Sequence, residues 1–135
     1  MAGAGFGQSV AMSRSRAIAL FFGATHVAMC AAAAVRPVAY GRPWLGETAV
    51  TPAARAALRG LAICDALPAA LVVDAVLREQ PLRARLAVGI VSDLGRATTA
   101  LSVRSHAPAA GNSAMVAASL TGAAIASSLL PHVDR

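Results

Sequence analysis

The 135-residue sequence predicts an all-α protein, a bundle of four transmembrane helices in up-down order. Three observations predict it. Hydrophobic residues make up 57% of the chain and charged residues only 13%, about half of the quarter or so that a soluble domain uses to cover its surface. The apolar residues fall into four long runs separated by short segments rich in Arg, Pro and Gly. Those runs are dominated by Ala, Val and Leu, and none shows the period-2 alternation of a β-barrel strand.

In chain order, residues 1–13 read as a flexible, Gly-rich terminus. Gly3-Ala4-Gly5-Phe6-Gly7 faintly resembles a phosphate loop, but no strand precedes it and no GxGxxG spacing follows. A single membrane domain then occupies residues 14–131. Its first helix, about 14–36, opens with Arg14 and Arg16 and continues through Ala17 to Val35 without a formal charge. About twenty apolar residues are needed to span a hydrocarbon core. Arg36-Pro37 ends the run, because proline disfavours helical geometry in the residue before it. A cleaved signal peptide is the competing explanation, with Arg14 and Arg16 as its basic start and Ala31-Ala32-Ala33 as its cleavage site. Three further apolar runs weigh against it.

Arg36 to Thr51 reads as a loop, with Gly and Pro marking turns. It holds Tyr40 and Trp44, the only Tyr and Trp of the chain, and both suit an interfacial anchor at headgroup level. Thr51-Pro52 is a helix start, with a capping hydroxyl before an N1 proline. The second helix, about 52–78, contains Pro68, which predicts a kink. The third, about 84–104, follows a short polar turn at Pro81. Ser105 to Asn112 reads as another turn. The fourth helix, about 113–130, carries Ala114, Ala118, Gly122 and Ala126 at four-residue steps. Such a stripe lets another helix backbone approach closely. Residues 132–135 form a short tail.

The net charge is +6 and all twelve basic residues are Arg. They sit at the ends of apolar runs, without the basic face or interleaved aromatics of a nucleic-acid binder. Attraction to anionic lipid headgroups explains them, so the bilayer is the expected partner and nucleic acid is not. Up-down order puts Arg14, Arg16, Arg78, Arg83, Arg85 and Arg135 on one side, and Arg36, Arg42, Arg55, Arg59 and Arg104 on the other. On this small excess rests the expectation of a multi-pass protein of the cell membrane with both termini cytoplasmic.

Asp65, Asp93 and Arg96 interrupt the apolar runs. The apolar residues of the third helix favour insertion by roughly 3 kcal/mol in sum, against roughly 5 to 7 for a central Asp and Arg. The helix therefore needs partners for its charges. A hairpin of the second and third helices, turning near Gln80 and Pro81, brings Asp65 and Arg96 to within roughly 3 Å of one depth. Asp93 neighbours Arg96 at i, i+3. The three are read as one intramembrane cluster, either a lock between helices or a functional polar site. Asp74, nearer the helix end, is expected to pair with Arg78, four residues on.

His26 and Cys30 share a face of the first helix. With Cys64 they would offer candidate ligands for a soft metal or haem, but packing is the reading adopted. The cysteines form no CxxC and say nothing firm about redox compartment. His106 and His132 fall in a turn and in the tail, where solvent is expected around them. No Ser-His-Asp constellation, HExxH motif or phosphate loop is visible, so no catalytic residue, metal or cofactor is assigned and the balance lies against an enzyme. The function expected is an integral membrane protein that is structural or binds a partner: lipid, a second copy, or another membrane subunit. The alternatives are a small subunit of a membrane redox or transport system using Asp65, Asp93 and Arg96, and a secreted helical bundle after signal cleavage.

At Arg42-Pro43-Trp44-Leu45-Gly46, Arg59-Gly60 with Asp65 beyond it, and Ser92-Asp93-Leu94-Gly95, the chain resembles a group of small four-helix actinobacterial membrane proteins. These form a domain-of-unknown-function family loosely similar to DoxX-like proteins. The resemblance covers roughly Ala17 to Leu130. In that pattern an Arg-Asp pair sits in the second helix and two acids sit three apart in the third. Here Cys64 stands at the arginine position and Arg96 at the second acid, as though one arginine had crossed between helices at matching depth. The resemblance implies a fold and a location. Its one link to chemistry is that DoxX-like relatives are associated with redox membrane complexes.

Overall fold

A computed structural model describes residues 12–102, 104–105 and 108–134. Most of the terminal segment read as flexible, Gly3 to Gly7 included, together with Val103, His106 and Arg135, lies outside the described residues. Among the described residues the chain is all-helical: α1 (Arg14–Val35), α2 (Pro37–Leu45), a 3-10 turn (Gly46–Val50), α3 (Pro52–Leu77), α4 (Arg83–Ser102) and α5 (Ala109–Leu129). Three of these, α1, α3 and α5, are long and apolar enough to cross a membrane.

Local chemistry accounts for the boundaries. Ser13 caps α1, its hydroxyl accepting from the Arg16 amide at 3.3 Å. Arg36 leaves helical geometry ahead of Pro37. The expectation of a loop from Arg36 to Thr51 is corrected here, because Pro37 starts a second helix at once. A proline that ends one helix is pre-organised as the first residue of the next. Gly46, with φ +58°, then turns the chain where a side chain would be strained. Thr51 caps α3 by accepting from the Ala54 amide at 3.2 Å, and the helix continues through Pro68.

α3 ends in a left-handed cap. The Gln80 amide donates to the Ala75 carbonyl at 2.8 Å and the Glu79 amide to the Val76 carbonyl at 3.3 Å, with Glu79 at φ +54°. The start of α4 is capped by the far end of the chain. Asp134 accepts from the amides of Leu82 at 2.8 Å and Arg83 at 3.1 Å, and Val133 beside it is 2% exposed. Residues 132–134 are thus docked rather than a loose tail, while His132 is exposed.

α5 begins four residues earlier than expected, at Ala109 after Pro108. Gly111, read as a turn residue, lies inside the helix. A Cβ there would collide with the carbonyl oxygen of Pro43, so the glycine serves close approach of α2 to α5.

The helices pack as two pairs. α1 lies along α3, and α4 along α5, while α3 touches α4 far less. The contact expected between the second and third long helices is present at Asp65 and Arg96, but it is much slighter than those within the two pairs. Small residues bring the first pair together: a Cβ on Gly23 would lie 3.1 Å from Val73 Cγ2 and 3.2 Å from the Ala69 carbonyl. At one end of the bundle the pairs close on a core containing Ala19, Val72, Val76, Leu86, Ala126 and Leu129. Arg16 ties that end, donating to the carbonyls of Ala75 at 3.0 Å and Gln80 at 2.9 Å. Toward the other end the pairs separate, and α2 covers the gap. Large apolar side chains face outward on several helices, among them Phe21 at 75%, Ile63 at 67% and Val91 at 70% exposure.

Candidate functional site

Arg96 on α4 is the hub of the interior. Its guanidinium meets Asp65 Oδ2 on α3 at 3.3 Å and Asp93 Oδ1 on its own helix at 3.1 Å. It also donates to Ser92 Oγ at 3.2 Å and lies 3.3 Å from His26 Nε2 on α1. Arginine can only donate, so a hydrogen bond between the two requires the neutral imidazole with its proton on Nδ1. Three helices thus converge on one cation. The side chains of Asp65, Asp93 and Arg96 are 15%, 11% and 21% exposed. At 1.5 Å per residue, His26 lies about 18 Å along α1 and Asp65 about 20 Å along α3. The cluster therefore sits near the mid-depth of the long helices.

Charges held this far from water are tolerated because each is paired. The count is uneven, with two carboxylates facing one guanidinium. Asp93 Oδ2 accepts no hydrogen bond from the described residues. It lies against Gly122 of α5, where a Cβ would be 2.5 Å away.

Above the cluster, on the side of α2, the two helix pairs line a partly open cavity of about 580 Å³. Asp65, Asp93 and Arg96 line one part of it, and Tyr40 and Trp44 of α2 another. Most of the wall is apolar, with Met29 from α1, Leu61 from α3 and Met115 from α5. Methionines conform to varied shapes. Tyr40 and Trp44 sit one helical turn apart with ring centroids 6.3 Å apart. Burial, the largest cause, pushes the Tyr40 hydroxyl above its ordinary value of 10.0 and keeps it a neutral phenol. Trp44 Nε1 is buried with no hydrogen-bond partner.

Asp65, Asp93 and Arg96 stand together. Tyr40 and Trp44 stand on a helix, facing the cavity. Of the small-residue stripe, Gly122 and Ala126 are buried inside the bundle, Ala118 lines the cavity and Ala114 is exposed. Cys30 is buried beside the cavity while Cys64 is exposed, so the two do not converge with His26. No group of three or more His, Cys, Asp or Glu able to hold a metal occurs among the described residues. Asp74 pairs with Arg78 at 2.6 Å on the outside.

Sequence reasoning missed His26 as a member of the cluster. Its mid-run position on the first helix matches the depth of Asp65, and that was the available signal. No protein-family model, curated protein or solved structure matches the chain.

Proposed function

We propose that the chain is a multi-pass protein of the cell membrane that binds a lipophilic small molecule between its two helix pairs. In this reading α4 is the fourth span: its 20 residues reach about 30 Å, and its charges are tolerated through Asp65 and His26. The helices alternate in direction, both termini face the cytoplasm, and Tyr40 and Trp44 mark the opposite boundary. Kinship with the DoxX-like group belongs to the same proposal and rests on the motif residues alone.

One observation carries the binding role: the apolar cavity that reaches from α2 to the buried Asp65–Arg96–Asp93 cluster. Its volume falls in the range of roughly 300–1,000 Å³ common to small-molecule sites, which are apolar with a few convergent polar groups. The unpaired apolar exteriors of Phe21, Ile63 and Val91 support lipid around the bundle.

The test is purification in a mild detergent, followed by native mass spectrometry in lipid nanodiscs. A retained small molecule, lost when Ala118 and Met115 are replaced by Trp to fill the cavity, is the expected result. A chain that is monodisperse in plain buffer, or a cavity-filled variant that retains the same adduct, overturns the reading. The charged hub also suits a second reading, a small subunit of a membrane redox or transport system. Co-purification of a stoichiometric partner protein would favour it.

A further inference from the structure

We propose that the cavity selects a lipophilic organic cation, a protonated amine carried on an apolar body, whose N–H groups bond to the carboxylates of Asp93 and Asp65. This rests on the cavity being a binding site and names the ligand class.

The charge count comes first. Asp65, Asp93 and Arg96 sum to one net negative charge when both acids are ionised, and the Arg96 guanidinium 3.3 Å from His26 Nε2 disfavours a second positive charge on that ring. The other titratable groups facing this interior are Cys30 on α1 and Tyr40 on α2, both uncharged. The described residues of α5 that line the cavity carry no charge. An anionic ligand would meet two carboxylates beside the one guanidinium. A cation restores neutrality where water is scarce and an unbalanced charge is costly.

The second observation is stereochemical. Asp93 is 8% exposed, and only one of its oxygens is engaged by Arg96. The other, Oδ2, has no donor among the described residues and sits at the wall formed by Gly122. An ammonium supplies the missing donor and the missing charge together. The third observation is the roof. Tyr40 and Trp44 present aromatic surface within the same cavity, which suits both an apolar body and a cation.

The sole Trp makes the test direct, because Trp44 lines the site and bromine quenches indole fluorescence. Full-length protein in zwitterionic nanodiscs is titrated with 4-bromobenzylamine, 4-bromobenzyl alcohol and 4-bromobenzoate, which share a body and differ in charge. Saturable quenching by the amine, at least tenfold tighter than by alcohol or acid, is expected. Asp93→Asn should weaken the amine at least tenfold while leaving the alcohol within about twofold. Asp65→Asn is the second variant, and circular dichroism checks the fold of each. If the three probes quench alike, the cavity stands as a binding site and selection for cations is overturned. If none saturates, the binding reading itself is overturned. An amine that binds both folded variants as tightly as the native protein rejects the carboxylates as its partners. Should neither variant fold, the ranking of the three probes on the native chain still decides.

Discussion

Gly122 of α5 lies directly against the carboxylate of Asp93 on α4, so closely that a Cβ would stand 2.5 Å from Oδ2 and 3.2 Å from Cγ. The small residue on one helix fixes where the charge on its neighbour can sit. Gly122→Ala is therefore expected to displace Asp93 from Arg96 and to destabilise the bundle by about 1–3 kcal/mol, as overpacking does. Gly95→Ala is the control, since nothing lies within 4 Å of a Cβ there. It should be neutral or stabilising by up to about 1 kcal/mol. Thermal unfolding of both variants in detergent checks the contrast.

Arg96 holds two acids, so its removal should cost more than removal of the whole cluster. Arg96→Leu leaves Asp65 and Asp93 buried without a cation and is expected to destabilise by about 3–5 kcal/mol. Adding Asp65→Asn and Asp93→Asn to it should recover most of that loss. Membrane accumulation and unfolding temperature report the difference. A triple variant no better than the single one would mean that the charges do not act as a unit. The exchange Asp65→Arg with Arg96→Asp should likewise accumulate better than either half alone.

Asp134 joins the last described residues to the start of α4 through the amides of Leu82 and Arg83. Asp134→Ala should cost about 0.5–2 kcal/mol, the usual effect of losing a helix cap. Faster hydrogen exchange at those two amides, with the middle of α4 unchanged, is the expected signature.

Glu79 occupies the left-handed position after α3, where glycine is the usual residue. Glu79→Gly relieves a backbone cost of roughly 1–2 kcal/mol, part of which is offset by the greater freedom of glycine in the unfolded chain. A net rise in unfolding temperature is expected. A fall would mean that the Glu79 side chain contributes more than its backbone conformation costs.

Single cysteines at Ser13, Thr48 and Arg83, in a chain with Cys30 and Cys64 replaced by Ala, test the proposed topology. Ser13→Cys and Arg83→Cys should react with an impermeant maleimide from the same side of sealed vesicles, and Thr48→Cys from the other. Labelling of all three from one side would dismiss the spanning bundle.

Much of the outline was legible in local sequence. Ser13, Thr51-Pro52 and Arg36-Pro37 mark helix ends because capping and proline sterics act over a few residues. The same residues misled where one type serves two purposes. Pro37 and Pro43 look like turn residues yet lie within α2. Gly111 looks like a turn glycine yet permits contact with Pro43. Asp65, Arg96 and His26 share a depth that the sequence offers, but nothing in the apolar surroundings of His26 says which face of its helix turns inward.

The amino-acid order alone determined that the chain is helical, where its apolar runs begin and end, and that its interior charges require partners, because these follow from backbone sterics and desolvation. Only the tertiary arrangement decided that α1 pairs with α3 and α4 with α5, that α2 covers the space between them, and that a cavity rather than a filled core lies above Arg96. The reason is physical. Helices apolar on every side carry no stripe that names a neighbour, and their pairing is settled by close fits such as Gly23 on Val73 and Gly122 on Asp93.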